Sequence, residues 1–210
     1  MKLVPAILAK STEEYRSTLA QARKLTDRFH IDIIDGKFVD NLTVQPRDLQ
    51  KQADNKMDMH LMVEDLIWYA QQCVKLNPHI VIVQLESSGD KRKALEFVVK
   101  NGFRAGISLN PSSPIDDIKP YLDIVSHIQV MGYESGFAGQ KLNRQVLKLP
   151  EEIRKLKHDV EIGIDGGVNL NTIGSITKAQ FDVINVNSFI FNHEELDPIS
   201  AYSALLEKIL

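Results

Sequence analysis

Phe29-His30-Ile31-Asp32-Ile33-Ile34-Asp35-Gly36 reads as a β-strand that runs into a turn at Asp35-Gly36. Its isoleucines are β-branched and favour a pleated backbone. His30 and Asp32 are two residues apart, so both side chains point to one face. If that face is the inside of a closed sheet, an imidazole and a carboxylate are buried together. That is costly unless they pair or bind something.

Working outward, the same kind of run recurs at Lys2–Leu8, Met57–Val63, Ile80–Glu86, Arg104–Leu109, His127–Met131, Glu161–Asp165 and Asp182–Val186, with the second run spanning Phe29–Asp35. Helical patterns fall between them, at Thr12–Leu25, Pro46–Gln52, Leu66–Leu76, Lys91–Lys100, Pro114–Leu122, Arg144–Lys157, Asn171–Ala179 and Pro198–Ile209. Ser11-Thr12-Glu13-Glu14 is a helix start, and Asn101-Gly102 is a helix stop. Eight strands alternating with eight helices, at roughly 26 residues per unit, is the count of a single-domain (β/α)8 TIM barrel over residues 1–210. The alternative is an open, doubly wound sheet. That fold usually carries glycines after its first strand, where this chain has Ala9-Lys10-Ser11-Thr12.

The chain has 210 residues, 43% hydrophobic and 25% charged, which is ample for one buried core. A net charge of -3 without a basic block points away from nucleic acid and anionic membranes as partners. The lone Cys73 excludes an intrachain disulfide and suits a reducing compartment, so the expected location is cytoplasmic. The N-terminal apolar run is short and leads into a helix start, which reads as a first strand rather than a signal peptide. No apolar stretch is long enough to span a bilayer.

Three strands carry polar residues that a purely structural strand does not need. His30 and Asp32 lie on strand two, His60 lies in the apolar run Met57–Val63, and Asp165 ends strand seven ahead of Gly166-Gly167. Barrel active sites form at the C-terminal ends of the strands. A set of two histidines and two aspartates suits a divalent ion such as Zn, with Mn, Fe and Co also compatible. Taken singly, each has a plainer reading as a hydrogen-bonded core residue or a turn; their joint placement favours a site. Glycine-bearing loops follow strands six, seven and eight: Gly132–Gln140, Gly166–Asn169 and Asn187–Phe191. Such loops present backbone N–H groups to a phosphate, although glycines also simply permit turns.

Together, Phe29–Gly36, His60-Leu61-Met62-Val63, Gly136-Phe137-Ala138-Gly139-Gln140 and Asp165-Gly166-Gly167-Val168-Asn169 are similar to the ribulose-phosphate 3-epimerase family. Pro5-Ala6-Ile7-Leu8 and Asn110-Pro111 fit the same pattern, and the resemblance runs the length of the chain in order. It implies a divalent metal held by His30, Asp32, His60 and Asp165, with Asp32 and Asp165 as the catalytic acid–base pair. On the substrate side it implies His60, Met62 and Met131 near the reacting carbons. It also implies sugar and phosphate contacts from Gly136, Phe137, Ala138, Gly139 and Gln140, and from Gly166, Gly167, Asn187 and Ser188. The implied reaction is 3-epimerisation of a keto-sugar phosphate, D-ribulose 5-phosphate to D-xylulose 5-phosphate, through an enediolate. One aspartate would remove the proton and the other deliver one to the opposite face.

The chain departs from the family at Ala6, Ile34, Lys37, Glu134, Ser135, Ala138 and Asn187, none of them a metal-ligand position. The departures leave open a six-carbon sugar phosphate such as allulose 6-phosphate, or a non-catalytic sugar-phosphate sensor. Decarboxylases and aldol enzymes of related barrels carry Asp-x-Lys-x-x-Asp on strand three. The matching stretch here, Asp58-Met59-His60-Leu61-Met62-Val63, lacks the lysine and the last acid. A Schiff-base lysine is also missing, since Lys2 and Lys56 start strands and Lys37 sits in a loop. His79, His127, His158 and His193 are expected as surface or capping residues, and Cys73 as a buried packing residue. Trp68 and Tyr69 are expected to pack on the barrel or at a subunit contact, and a homo-oligomer is compatible with the resemblance.

Overall fold

The computed structural model describes residues 1–51 and 56–209. Eight parallel strands close on themselves in chain order: β1 (Lys2–Ile7), β2 (Arg28–Ile34), β3 (Lys56–Met62), β4 (Ile80–Gln84), β5 (Arg104–Leu109), β6 (His127–Met131), β7 (Glu161–Asp165) and β8 (Val183–Val186). The closing pair is β1 with β8, where Val4 lies opposite Asn185. The fold is a (β/α)8 TIM barrel.

The surrounding helices are α1 (Thr12–Ala22), α2 (Leu66–Cys73), α3 (Lys91–Lys100), α4 (Leu149–Leu156), α5 (Ile173–Lys178), α6 (Ser188–Phe191) and α7 (Pro198–Leu206). Ser11 caps α1 by accepting from the Glu14 N–H, and Gly102 follows α3 with φ 85°. Two expected helices are not α-helices. After β2 there is only a 3-10 turn at Pro46–Asp48, and Gln52 of the expected segment lies outside the described residues. After β5 the chain runs as 3-10 helix over Ile115–Tyr121, which contains Pro120. A proline there lacks an N–H and clashes with the preceding turn of an α-helix. The expected helix Arg144–Lys157 is likewise split, into a 3-10 turn (Arg144–Lys148) and α4.

The strands are buried on both faces, and the faces differ. Outward residues such as Ile31, Ile33, Met59, Leu61, Val81, Val83, Ile128, Val130, Ile162 and Ile164 join one hydrophobic cluster with the helices. The intervening residues face the barrel interior, and many are polar: Arg28, His30, Asp32, Asp58, His60, Gln84, Ser108, His127, Gln129, Asp165 and Asn185 are all buried. Barrel interiors are more often filled by Val, Ile and Leu. Buried polar groups need partners, so this interior is a set of hydrogen-bond networks.

The lower network sits at the strand starts. Arg28 donates to Asp58 Oδ2 through Nε at 2.7 Å and to both Glu161 oxygens at 3.0 and 3.1 Å. Arg104 and His127 Nδ1 each reach Glu161 Oε2 at 3.0 Å. His127 is therefore an interior residue (1% exposed), contrary to the surface role expected of it. Two glycines make its room: a Cβ on Gly163 would lie 2.9 Å from His127 Nε2, and one on Gly106 3.2 Å from His127 Cβ. His79 Nε2 is 3.1 Å from an Arg104 guanidinium nitrogen, so it too belongs to this end. His193 does cap a turn, accepting from the Glu195 and Leu196 N–H groups.

Candidate active site

At the other end of the barrel, parallel register sets Asp32 beside His60, and Met131 beside Asp165. The four ligand-type side chains on β2, β3 and β7 converge there, all buried. His30 Nε2 is 3.2 Å from Asp32 Oδ1 and 3.4 Å from Asp165 Oδ2. His60 Nδ1 is 3.1 Å from Asp32 Oδ1 and 3.9 Å from Asp165 Oδ2. One atom from each residue falls within a group no wider than 4.8 Å. A tetrahedral ion with bonds near 2.0–2.1 Å has ligand atoms roughly 3.3 Å apart. Three of the four histidine–carboxylate distances, at 3.1, 3.2 and 3.4 Å, are close to that spacing, and the two carboxylates would balance a divalent charge.

Electrostatics separate the two carboxylates. Burial would raise Asp32, but hydrogen bonds and charges from His30 and His60 outweigh it and hold it well below the usual carboxylate range. Burial, and then the charge of Asp32, push Asp165 upward instead. Two acids in one small space do not ionise alike. Burial would depress His30, but Asp165 and Asp32 overcome it and lift its pKa to about 9.

Three buried amides underlie the cluster. Gln84 Oε1 is 2.7 Å from His60 Nε2. Gln129 Nε2 lies 3.2 Å from His60 Nδ1 and 3.4 Å from Asp165 Oδ2. Asn185 Nδ2 donates to Gln129 Oε1 at 3.0 Å and is 3.3 Å from His30 Nδ1, while its Oδ1 is buried without a partner.

Above the cluster opens a cavity lined by Asp32, Asp165, Met62, Met131, Gly136, Phe137, Ala138, Gly166, Gly167, Asn187 and Ser188. Its loops interlock: a Cβ on Gly132 would meet the Gly166 carbonyl oxygen at 2.2 Å, and one on Gly166 (φ 98°) would meet the Tyr133 ring at 2.5 Å. The cavity and the His/Asp cluster thus share Asp32 and Asp165. The sequence signature of the Ribulose-phosphate 3 epimerase family matches residues 2–191.

The chain belongs to the ribulose-phosphate 3 epimerase family.

It is 29% identical over 202 residues to a ribulose-phosphate 3-epimerase of Helicobacter pylori, covering 93% of each chain. It is 30% identical over 206 residues to the enzyme of that name from Aquifex aeolicus, covering 93% of this chain and 91% of the other. The crystal structure of 3-hexulose-6-phosphate synthase from Salmonella typhimurium superposes with a TM-score of 0.75, at 14% identity, covering 100% of this chain and 98% of that one. That last likeness concerns the fold. Membership of an epimerase family makes the chain an enzyme of the isomerase class.

The epimerase fold brings most of the expected substrate residues to one cavity, with particular exceptions. Gly139 and Gln140 line an adjoining groove shared with Gly167 and Ser188. The Gln140 amide donates to the Glu134 and Phe137 carbonyls, which holds the loop closed on itself. The Asn187 amide donates to the Ala6 carbonyl at 2.7 Å, so it ties β8 to β1. Glu134 is exposed and outside the cavity lining, which explains how its charge is tolerated beside the glycine loops. Leu8, Tyr133, Val168, Asn185 and Val186 line the cavity without having been singled out in sequence. Burial pushes the Tyr133 phenol well above its ordinary value, so the ring presents a neutral hydroxyl. Cys73 is fully buried in α2, and burial raises its thiol too. Trp68 is exposed, whereas Tyr69 is buried and donates to Gln45 at 2.5 Å. No helix among the described residues is long and apolar enough to cross a membrane.

Proposed function

We propose that this epimerase inverts C3 of a keto-sugar phosphate, interconverting D-ribulose 5-phosphate and D-xylulose 5-phosphate, with a divalent ion held by His30, Asp32, His60 and Asp165. The observation that carries the proposal is the pairing of those four side chains with a cavity that both carboxylates line. When bound, the ion supplies Lewis-acid stabilisation of the charge that develops on the substrate's carbonyl oxygen.

The chain's own residues do the rest. Asp32 and Asp165 stand on β2 and β7, different sides of the mouth, so each has access to a different face of a substrate carbon lying between them. One takes the C3 proton and the other delivers a proton to the opposite face; in the reverse reaction they exchange roles. In the metal-free protein their environments already differ, with Asp32 held low by His30 and His60 and Asp165 pushed up by burial. Met62 and Met131 supply an apolar lining without a competing acid. Backbone N–H groups around Gly166, Gly167 and Ser188 hold the phosphate and fix the sugar over the carboxylates. His30 serves as a ligand through Nε2 once it gives up that proton, so ion uptake releases protons.

The test is metal analysis of the purified protein together with a coupled assay on D-ribulose 5-phosphate, with and without chelator. Bound metal with chelator-sensitive turnover is expected. Neither metal nor turnover after metal is added back would overturn the proposal.

A further inference from the structure

His60 meets the cluster through Nδ1, and the hydrogen bonds behind it dictate why. Glu86 lies just beyond β4, and its Oε1 accepts from the Asn110 N–H at 2.9 Å and from the Ser113 hydroxyl. Its other oxygen accepts from Gln84 Nε2. Gln84 Nε2 also donates to Asn110 Oδ1 at 3.3 Å, and that oxygen is itself identified by the Ser135 N–H that it accepts at 3.0 Å. Two acceptors on one side leave the fully buried Gln84 amide a single orientation, with Oε1 toward His60 Nε2 at 2.7 Å. A carbonyl oxygen only accepts, so Nε2 carries the hydrogen. Nε2 is thereby committed to Gln84, and Nδ1 is the ring nitrogen that faces the cluster, 3.1 Å from Asp32 Oδ1 and 3.2 Å from the donor Gln129 Nε2.

We propose that Glu86 and Gln84 are a positioning pair that fixes the Nε2–H tautomer of His60 and so presents Nδ1 as a metal ligand. The metal half of this rests on the function proposed above; the tautomer half rests on hydrogen bonds alone. Neither residue lines the cavity, so the pair acts through His60 rather than on substrate. Partners of this kind typically govern metal affinity by 10–100-fold.

The test uses two readouts. The first is nitrogen NMR of histidine-labelled, metal-stripped protein followed across pH, with the His60 signals assigned by comparison with His60→Gln. The second is the Zn dissociation constant by competition with a chromophoric chelator, with the visible spectrum of the Co-loaded protein as a check on coordination. Wild type should show the Nε2–H tautomer. Gln84→Met, similar in size but without the acceptor, should lose that preference and bind Zn about 10–100-fold more weakly. Glu86→Gln should show a smaller loss, because Asn110 Oδ1 still holds the amide. The double variant Gln84→Glu, Glu86→Gln restores an acceptor facing His60 and a donor behind it. It should recover the tautomer and most of the affinity, and it keeps the test open if Gln84→Met fails to fold. Unchanged tautomer and affinity in Gln84→Met would overturn the proposal, as would an Nδ1–H tautomer in wild type. A wild-type protein with the Nε2–H tautomer but no metal uptake would overturn the metal reading and leave the pair's control of His60 supported.

Discussion

Replacing Arg28 by Met should cost about 3–5 kcal/mol of folding stability while leaving the chemistry of the folded protein intact. The Arg28 side chain is 3% exposed, and it is the partner in every hydrogen bond or ion pair shown for the Asp58 carboxylate. Asp58 is itself 1% exposed, and its Oδ1 already has no partner. Glu161 is better protected, because Arg104 and His127 still reach it at 3.0 Å. The cost therefore falls on Asp58, a buried carboxylate stripped of its counter-charge, which is the situation that makes a broken internal pair expensive. At about 3 °C per kcal/mol for a chain of this size, the midpoint of thermal unfolding should fall by roughly 9–15 °C. Urea unfolding at neutral pH measures the free-energy loss, and the double variant Arg28→Met, Asp58→Leu should recover most of it, since an apolar pair avoids the desolvation penalty. Arg28 does not line the cavity, and its ion pairs are with Asp58 and Glu161 rather than with any of the four ligand-type side chains, so the turnover number of the folded variant should stay near wild type. A loss below about 1 kcal/mol, or a double variant no better than the single, would refute the view that Arg28 chiefly neutralises Asp58.

Other perturbations probe the catalytic end and the pH response. Asp32→Asn and Asp165→Asn should each lower the turnover number by about 10²–10⁴-fold with the far-ultraviolet circular dichroism unchanged; near-normal turnover in either would exclude a two-carboxylate mechanism. Gly132→Ala forces a Cβ to within 2.2 Å of the Gly166 carbonyl oxygen, so the turn after Asp165 must shift; kcat/KM should fall at least about tenfold, and an unchanged value would show that these loops yield freely. Stability should decline on acidification, because His127 is depressed by burial, and Glu161 is depressed by His127 and Arg28 despite its burial. With folded-state values below unfolded ones, each contribution is present above the unfolded value, about 6.5 for histidine and about 4.3 for glutamate, and is lost as pH falls toward the folded one. Glu161→Gln should flatten the dependence of unfolding free energy on pH below about 5, and an unaltered slope would count against the assignment.

The barrel was legible because strands of a parallel sheet, covered on both faces, read as apolar β-branched runs, and eight of them alternate with helical patterns. His30, Asp32, His60 and Asp165 stood out because charge-bearing residues interrupt such runs. Gln84, Gln129 and Asn185 carried a weaker form of the same signal: His127-Ile128-Gln129-Val130-Met131 alternates with period two, so Gln129 must share the interior face with His127 and Met131. His127 was misplaced because a strand's first residue looks like an element end, whereas in a closed barrel the first interior layer is already covered. Tyr133 had no local signal at all, since its place over Gly166 is made by two loops distant in sequence.

Register makes the two charged ends of this interior neighbours, with His30 paired opposite Asp58. They can coexist because each closes its own charge. Below, the guanidinium groups of Arg28 and Arg104 face the carboxylates of Asp58 and Glu161. Above, Asp32 and Asp165 face a protonated His30 in the metal-free protein, or a divalent ion in the proposed holoenzyme. Between and beside them the uncharged amides of Gln84, Gln129 and Asn185 supply donors and acceptors without adding charge. An apolar middle layer would have packed as well, yet it could not have specified which nitrogen of each histidine faces the ion. The polar interior thus separates two tasks along one set of strands: the lower ends close an ion-pair network around Asp58 and Glu161, and the upper ends bring two histidines and two carboxylates together beneath the cavity.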